Sequence, residues 1–364
     1  MGSEMCIRDS THINHNVITV YFAESGDLAD GVTAEGFNAF ERQQFQEAFE
    51  LIESVIDIEF RVVNSPVNVD MQLLLDTNEI SSLGFFNPPG SSFGGVAGVG
   101  VFAGDDWDRF AGGDLQIGGY GFQTIVHELL HGLGMAHPHD TGGSSRTLPG
   151  VTSAFDDFGN FDLNQGIYTT MSYNRGLQTG EPGSGPGAFG ATWGVQSGPM
   201  ALDIAVLQEL YGTNEDFNSG NDNYVLASRN AVGTYWTSIW DADGVDAIQH
   251  TGSGAATIDL RAATLEMEEG GGGFISSVNG IAGGFTIANG VVIERAYGGS
   301  SNDRITGNDA DNFLVGSGGL DTLFGGKGDD FINGGAGADS IYAENGNDDV
   351  LGGDGQDLIY GGVG

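Results

Sequence analysis

From Gly298 to Tyr360 the chain repeats itself every nine residues. The sixth position of successive units reads Asp303, Asn312, Asp321, Asp330, Asp339, Asp348 and Asp357. The eighth reads Ile305, Leu314, Leu323, Ile332, Ile341, Val350 and Ile359. One column is carboxylate or amide and the other wholly aliphatic. A unit this short cannot bury a hydrophobic face by itself, so the units must stack and share one. The aliphatic side chain points inward onto its copies and makes a thin core. The glycines let the backbone turn sharply and expose carbonyls. A flexible Gly-Asp linker has no reason to keep a pure aliphatic column through seven units.

The polar column carries its own chemistry. Stacked carboxylates repel one another, and hard oxygen donors suit calcium. The columns match the G-G-x-G-x-D-x-U-x pattern and resemble calcium-binding parallel β-rolls. The resemblance implies calcium on Asp303, Asp321, Asp330, Asp339, Asp348 and Asp357, with the roll folding as it binds the ion. Asn312 in the second unit and Ala343-Glu344 in the sixth break the pattern. Those turns are expected to hold calcium weakly or not at all. The whole chain is also acidic, with 50 Asp and Glu against 11 Lys and Arg and a net charge of -39. Phosphate backbones and anionic membrane surfaces would be repelled, so nucleic acid is not an expected partner.

A second constellation lies upstream, at His127-Glu128-Leu129-Leu130-His131-Gly132-Leu133-Gly134-Met135-Ala136-His137-Pro138. On a helix, His127 and His131 are four apart and share a face, so their imidazoles can hold one ion. Glu128 stands beside them, able to hold a water without ligating. Gly134 can take a positive φ, end the helix and return His137 to a third coordination position. Three imidazoles and a water suit a catalytic zinc ion, because structural zinc usually has four protein ligands and often thiolates. Zinc lowers the pKa of water toward ~7, and Glu128 can take the proton. His139, following Pro138, is expected to face solvent. His12, His15 and His250 have no partners in the sequence and are given no role.

The extended motif resembles the metzincin proteases, and Pro138 after the third histidine is similar to the serralysin branch. Thr170-Met171-Ser172-Tyr173 looks like the methionine turn of that group. The resemblance implies that Met171 forms an apolar floor under the imidazoles. It also implies that Tyr173 reaches the zinc or stabilises the oxyanion. The run from Gly198 to Gly212 is similar to the closing helix of such a catalytic domain. In serralysins the protease domain precedes the roll, which is the order found here. The implied fold class is an α+β metzincin domain followed by an all-β parallel roll. The implied activity is a secreted zinc endopeptidase acting on protein or peptide substrates, exported in one step without a cleaved signal. A rival from another class is a calcium-dependent adhesive or scaffold protein with a vestigial protease fold. It predicts damage at the ligands or at Glu128, and the sequence has none.

The rest of the chain supplies organisation. Residues 1–14 do not match the pattern of the neighbouring segment and are expected to be an artefactual or disordered leader. Residues 15–215 are expected to form the protease domain, 216–297 a β-rich connection and 298–364 the roll. The chain stops as another repeat begins, so the native C-terminus is expected further on. Val17–Ala23, Ile58–Val63 and Met71–Leu75 read as strands. Thr33–Ile56 reads as one amphipathic helix with Thr33 as N-cap, because Phe37, Phe40, Phe45, Ala48, Phe49, Ile52 and Ile56 recur at helical spacing. The glycine-rich stretch Phe93–Phe102 suits an edge strand or a mobile loop, and is the expected strand for capturing an extended peptide. Gln123–Gly132 and Leu202–Tyr211 read as helices, the latter closed by Gly212. No apolar run approaches the roughly 18 residues of a membrane span. Cys6 is the only cysteine, which rules out an internal disulfide and leaves the redox compartment open. The protein is expected to be a monomer.

Overall fold

The computed structural model describes residues 16–77, 80, 82–87, 95–140, 146–180 and 191–364. The N-terminal part is built on a five-stranded sheet. Its order is Glu59–Val62, Val17–Phe22, Met71–Asp76, Val99–Ala103 and Gly84–Phe86. The first four strands are parallel and the last runs antiparallel at the edge. Parallel strands are covered on both faces, and Val99–Ala103 is accordingly buried at every position.

Helix α1 (Ala39–Glu53) lays Phe45, Ala48, Phe49 and Ile52 on this sheet. The Phe45 ring meets Phe102 edge-on at 4.9 Å and Phe37 at 5.1 Å. The helix starts six residues later than its hydrophobic period predicts. Thr33 is not its cap; it pairs with Leu28 in a two-residue ladder. Gly36 then turns with φ +84°, a conformation that no helix continues. The true cap is Asn38, whose side chain accepts from the Glu41 amide at 3.0 Å while Glu41 accepts from the Asn38 amide at 2.7 Å. That reciprocal box is the sequence signal that the apolar pattern concealed.

The glycine-rich stretch also departs from expectation. Residues 93 and 94 lie outside the described residues, but Val99–Ala103 is an inner strand and neither an edge nor a loop. Its glycine serves close packing: a Cβ on Gly100 would sit 2.6 Å from the Phe86 ring. The edge is Gly84–Phe86 instead. Helix α2 (Tyr120–Gly132) packs against the sheet, and helix α3 (Ala201–Tyr211) closes this part, ending at Gly212 with φ +82°.

Beyond Gly212 the regular secondary structure is all strand, joined by turns. One sheet has six parallel strands, running from Asn223–Val225 to Asp349–Asp354. The other has eight, from Trp236–Ile239 to Leu358–Tyr360, with antiparallel pairing only around Ser276–Val278. In the repeat, consecutive units alternate between the sheets. Each strand therefore pairs in register with the one eighteen residues on, as Leu314 does with Ile332. Ile305, Leu314, Leu323, Ile332 and Ile341 are fully buried between the sheets, Val350 partly so, and Ile359 is exposed.

The polar column lines the turns. The amides of Asp303, Asn312, Asp321, Asp330 and Asp339 donate to Oδ1 of the residue eighteen further on, at 2.7–3.0 Å. Oδ2 of Asp321, Asp330, Asp339 and Asp348 is buried without a hydrogen bond. A Cβ on Gly316 would lie 2.5 Å from both Asp321 Oδ2 and the Gly334 carbonyl oxygen, so glycine there keeps a small oxygen-lined space open. The Asn312 turn differs. Its side-chain amide donates to Asn308 Oδ1 at 2.9 Å, and its Oδ1 accepts from the Asn308 backbone amide at 2.8 Å, so the turn closes on itself. At the other departure Glu344 holds φ +72°, keeping a glycine-like turn with a side chain attached.

Burial pushes the carboxyls of Asp321 and Asp330 up to about 7. A folded-state pKa above the unfolded value means that ionisation opposes folding. The penalty begins above pH ~4 and is complete once pH has passed ~7. In the presence of a calcium chelator, the repeat region should therefore melt at a lower temperature at pH 8 than at pH 5, followed by circular dichroism. Equal melting temperatures at the two pH values would contradict the burial of these ionised carboxylates.

Candidate metal centre

Helix α2 places His127, Glu128 and His131 on its inner face, each nearly buried. The helix ends at Leu133, and Gly134 turns with φ +97°. A Cβ there would meet nothing, so the glycine is required by its dihedral and not by space. The reversed chain brings His137 back over the helix. His137 Nε2 lies 3.1 Å from His127 Nε2 and 3.0 Å from His131 Nε2.

The outer ring nitrogens decide what these inner ones can be. His127 Nδ1 faces the Thr170 carbonyl oxygen at 2.9 Å, and His131 Nδ1 the Met135 carbonyl oxygen at 2.8 Å. His137 Nδ1 faces Asp140 Oδ2 at 2.9 Å. All three partners are acceptors, so each Nδ1 carries the proton and donates. In that neutral tautomer each ring would turn its Nε2 lone pair toward the same point. Burial, aided by neighbouring His137, pushes His127 down to about 3, which keeps that ring neutral. Three lone pairs aimed together repel unless a cation sits between them, and the nitrogen donor set fits a zinc ion.

The support beneath is layered. Thr170 and Met171 lie in a buried turn, with Met171 fully enclosed in the core. Asp203 of α3 accepts from Thr169 Oγ1 at 2.6 Å, the Thr170 amide at 2.6 Å and the Met200 amide at 2.9 Å. The same Thr170 orients His127 through its carbonyl. Tyr173 leans over the centre, its ring 4.7 Å from His137 and 5.8 Å from His127. Beside Glu128 opens a cavity of about 240 Å³, walled by Gly84 of the edge strand, Tyr120, Thr124, Tyr173 and Arg175. Gly84 is close enough that a Cβ would lie 3.0 Å from Glu128 Cγ.

The sequence-derived residues His127, Glu128, His131, His137, Met171 and Tyr173 are thus brought together. His139 corrects its expectation. It does not face solvent but stacks on His137 at 4.9 Å and stands 5.0 Å from Tyr173, because the turn after Pro138 lays the two rings parallel. His12 and His15 lie outside the described residues. His250 is far along the chain in the strand region and buried. Asp140, Asp203 and the edge strand at Gly84 escape a reading of the sequence alone. Of these only Asp140, three residues after His137, leaves a local signal. A further acidic group, Asp222, Asp241 and Asp246, has oxygens close enough to share a cation. Asp241-Ala242-Asp243-Gly244-Val245-Asp246 is the spacing that could have revealed two of its members.

A family model described as the RTX calcium-binding nonapeptide repeat matches residues 297–332, 315–350 and 333–364. Over 214 residues the chain is 33% identical to a serralysin of Photorhabdus luminescens, covering 56% of this chain and 40% of that protein. Over 299 residues it is 31% identical to a serralysin of Proteus mirabilis, covering 76% and 56% respectively. A metallopeptidase AprA of Pseudomonas marginalis is 33% identical over 211 residues, covering 55% and 40%. The chain spans about half the length of these curated relatives. It is serralysin-like and carries RTX calcium-binding repeats at its C-terminal end.

Carboxylates that hold a ligating imidazole typically govern metal affinity by about 10- to 100-fold. Asp140→Asn should weaken zinc binding by roughly that factor, read by competition with a chromophoric chelator. An unchanged affinity would show that the His137–Asp140 contact does not orient the ligand.

Proposed function

We propose that this chain is a secreted zinc endopeptidase that hydrolyses peptide bonds of extracellular proteins and is stabilised by a calcium-loaded roll. The observation that carries the reading is the convergence of three imidazole Nε2 atoms beside Glu128. His127, His131 and His137 would hold the zinc ion. When bound there, zinc supplies Lewis acidity toward water and toward a peptide carbonyl. The Glu128 carboxylate accepts a proton from water as the new C–O bond forms, and hands it to the amide nitrogen as the tetrahedral adduct collapses and the peptide C–N bond breaks. The Tyr173 hydroxyl donates to the carbonyl oxygen as negative charge develops. Met171 closes the apolar side beneath the rings.

The edge strand Gly84–Phe86 takes an extended substrate by strand addition, in the role that the sequence alone suggests for Phe93–Phe102. Its proximity to Glu128 supports that choice. In the roll, Asp303, Asp321, Asp330, Asp339, Asp348 and Asp357 contribute calcium ligands, with Oδ2 of Asp321, Asp330, Asp339 and Asp348 available for the ion. The architecture is then a metzincin domain over residues 15–215, a β-rich connection over 216–297 and the roll over 298–364. The chain acts as a monomer and leaves the cell in one step without a cleaved signal. No helix among the described residues is long and apolar enough to cross a membrane. A vestigial site in a scaffold protein is disfavoured because the ligand set, Glu128 and their supports are all in place.

The test is hydrolysis of casein with and without a zinc chelator. Activity should vanish with the chelator and return with added zinc; activity indifferent to the chelator removes the mechanism. Glu128→Ala should retain zinc at wild-type stoichiometry while losing about 10²- to 10⁴-fold in turnover. Near-normal turnover in that variant would assign the proton transfers elsewhere.

A further inference from the structure

The cavity beside Glu128 contains one feature that hydrolysis does not use. Among its walls stands Arg175, two residues beyond Tyr173. The chain has only 11 basic residues against 50 acidic ones, so a guanidinium at this cavity is set against the prevailing charge. Its carbon centre lies 4.3 Å from the centre of the Tyr120 ring, on the first turn of α2. That contact restrains the guanidinium beside the Tyr120 ring at the cavity wall. The group is half-buried, so part of its stem is held and its position is restrained. Glu128, the other charged wall residue, lies at the His127 end of the same cavity.

We propose that this cavity is a specificity pocket for an acidic side chain, with Arg175 as the residue that selects it. The inference rests on the protease reading given above. A peptide lying along the Gly84–Phe86 edge with its scissile carbonyl near His127 and Glu128 must send one neighbouring side chain into the cavity. A planar guanidinium offers a carboxylate two parallel N–H donors, a geometry that an amide of the same shape cannot match in charge. A guanidinium carries five N–H donors, more than one bidentate partner engages. The pocket therefore prefers Asp or Glu at one fixed position next to the cut, over their amide isosteres and over lysine or arginine.

The experiment is cleavage profiling of the zinc-loaded, calcium-loaded chain with a peptide mixture varied on both sides of the cut. Wild type should favour Asp or Glu over Asn or Gln at one adjacent position by about ten-fold or more, as a charged hydrogen bond in a half-buried site implies. In Arg175→Gln that ratio should fall to about one, in Arg175→Glu it should invert toward lysine and arginine, and in Arg175→Lys it should survive in part. Cleavage without acidic preference in wild type, or a preference that persists in Arg175→Gln, overturns the proposal. A readout independent of turnover separates this from failure of the protease reading. Fluorescence anisotropy of a Glu-containing peptide and its Gln isostere on Glu128→Ala should show tighter binding of the acid, lost on adding Arg175→Gln. Equal binding of the two peptides overturns the pocket whether or not the chain cleaves anything.

Discussion

Three imidazoles that each donate a hydrogen bond from Nδ1 are the constraint on which the N-terminal half depends. Thr170, Met135 and Asp140 supply only acceptors, so the tautomers are not free to adjust. His137 Nε2 sits 3.0–3.1 Å from the Nε2 atoms of the other two rings, a crowding of like groups that a shared cation relieves. Repulsion of this kind persists only when the surrounding structure fixes it and when an ion removes it. The rest of this half can be understood as the apparatus that fixes it.

That apparatus draws on distant parts of the chain. Asp203, on α3, is fully buried, and burial pushes its carboxyl up to about 6 despite its hydrogen bonds. It is retained because it fastens Thr169, Thr170 and the start of α3 at once, and Thr170 in turn aims His127. Glu41 does similar work at the other end. It caps α1 and is clamped by Arg109 at 2.6 Å and by Trp107 Nε1 at 3.1 Å, tying the helix to the loop that leads into α2. Buried carboxylates used in this way contribute geometry more than net stability, since their desolvation offsets much of the attraction.

How legible each feature is in the sequence depends on how local its interactions are. The ligand triad is legible because its geometry is written within eleven residues: helical spacing, a glycine that needs positive φ, and a returning histidine. The roll is legible because each of its units repeats the same two demands. The start of α1 is hidden because Phe37 continues the hydrophobic period across a non-helical turn, where the Asn38–Glu41 box outweighs it. The strand at Val99–Ala103 is hidden because glycine signals mobility and close packing alike, and only the Phe86 ring against Gly100 distinguishes them. Asp203 and Gly84 reach the site across long sequence separations, and no local pattern marks them. The stacking of His139 on His137 depends on a turn that residue types alone do not define, so sequence alone puts that ring in solvent.

The two halves solve one electrostatic problem with different chemistry. In each, groups of like polarity are fixed in an array by hydrogen bonds before any ion is counted: imidazole nitrogens above α2, carboxylate oxygens along the roll. Nitrogen lone pairs on a helix and a turn make a small, borderline-soft site, and oxygens on glycine-supported turns make a hard one. Both arrays are unfavourable alone. The Asn312 turn shows the alternative, in which an amide satisfies itself with Asn308 and no cation is called for. That turn gains independence from ions, and the turns that keep aspartate accept instability without them. In a chain with a net charge of -39, both arrays concentrate like groups where a bound cation would relieve them. In the roll the aliphatic ladder is one residue wide, so little apolar burial offsets the crowding of its carboxylates.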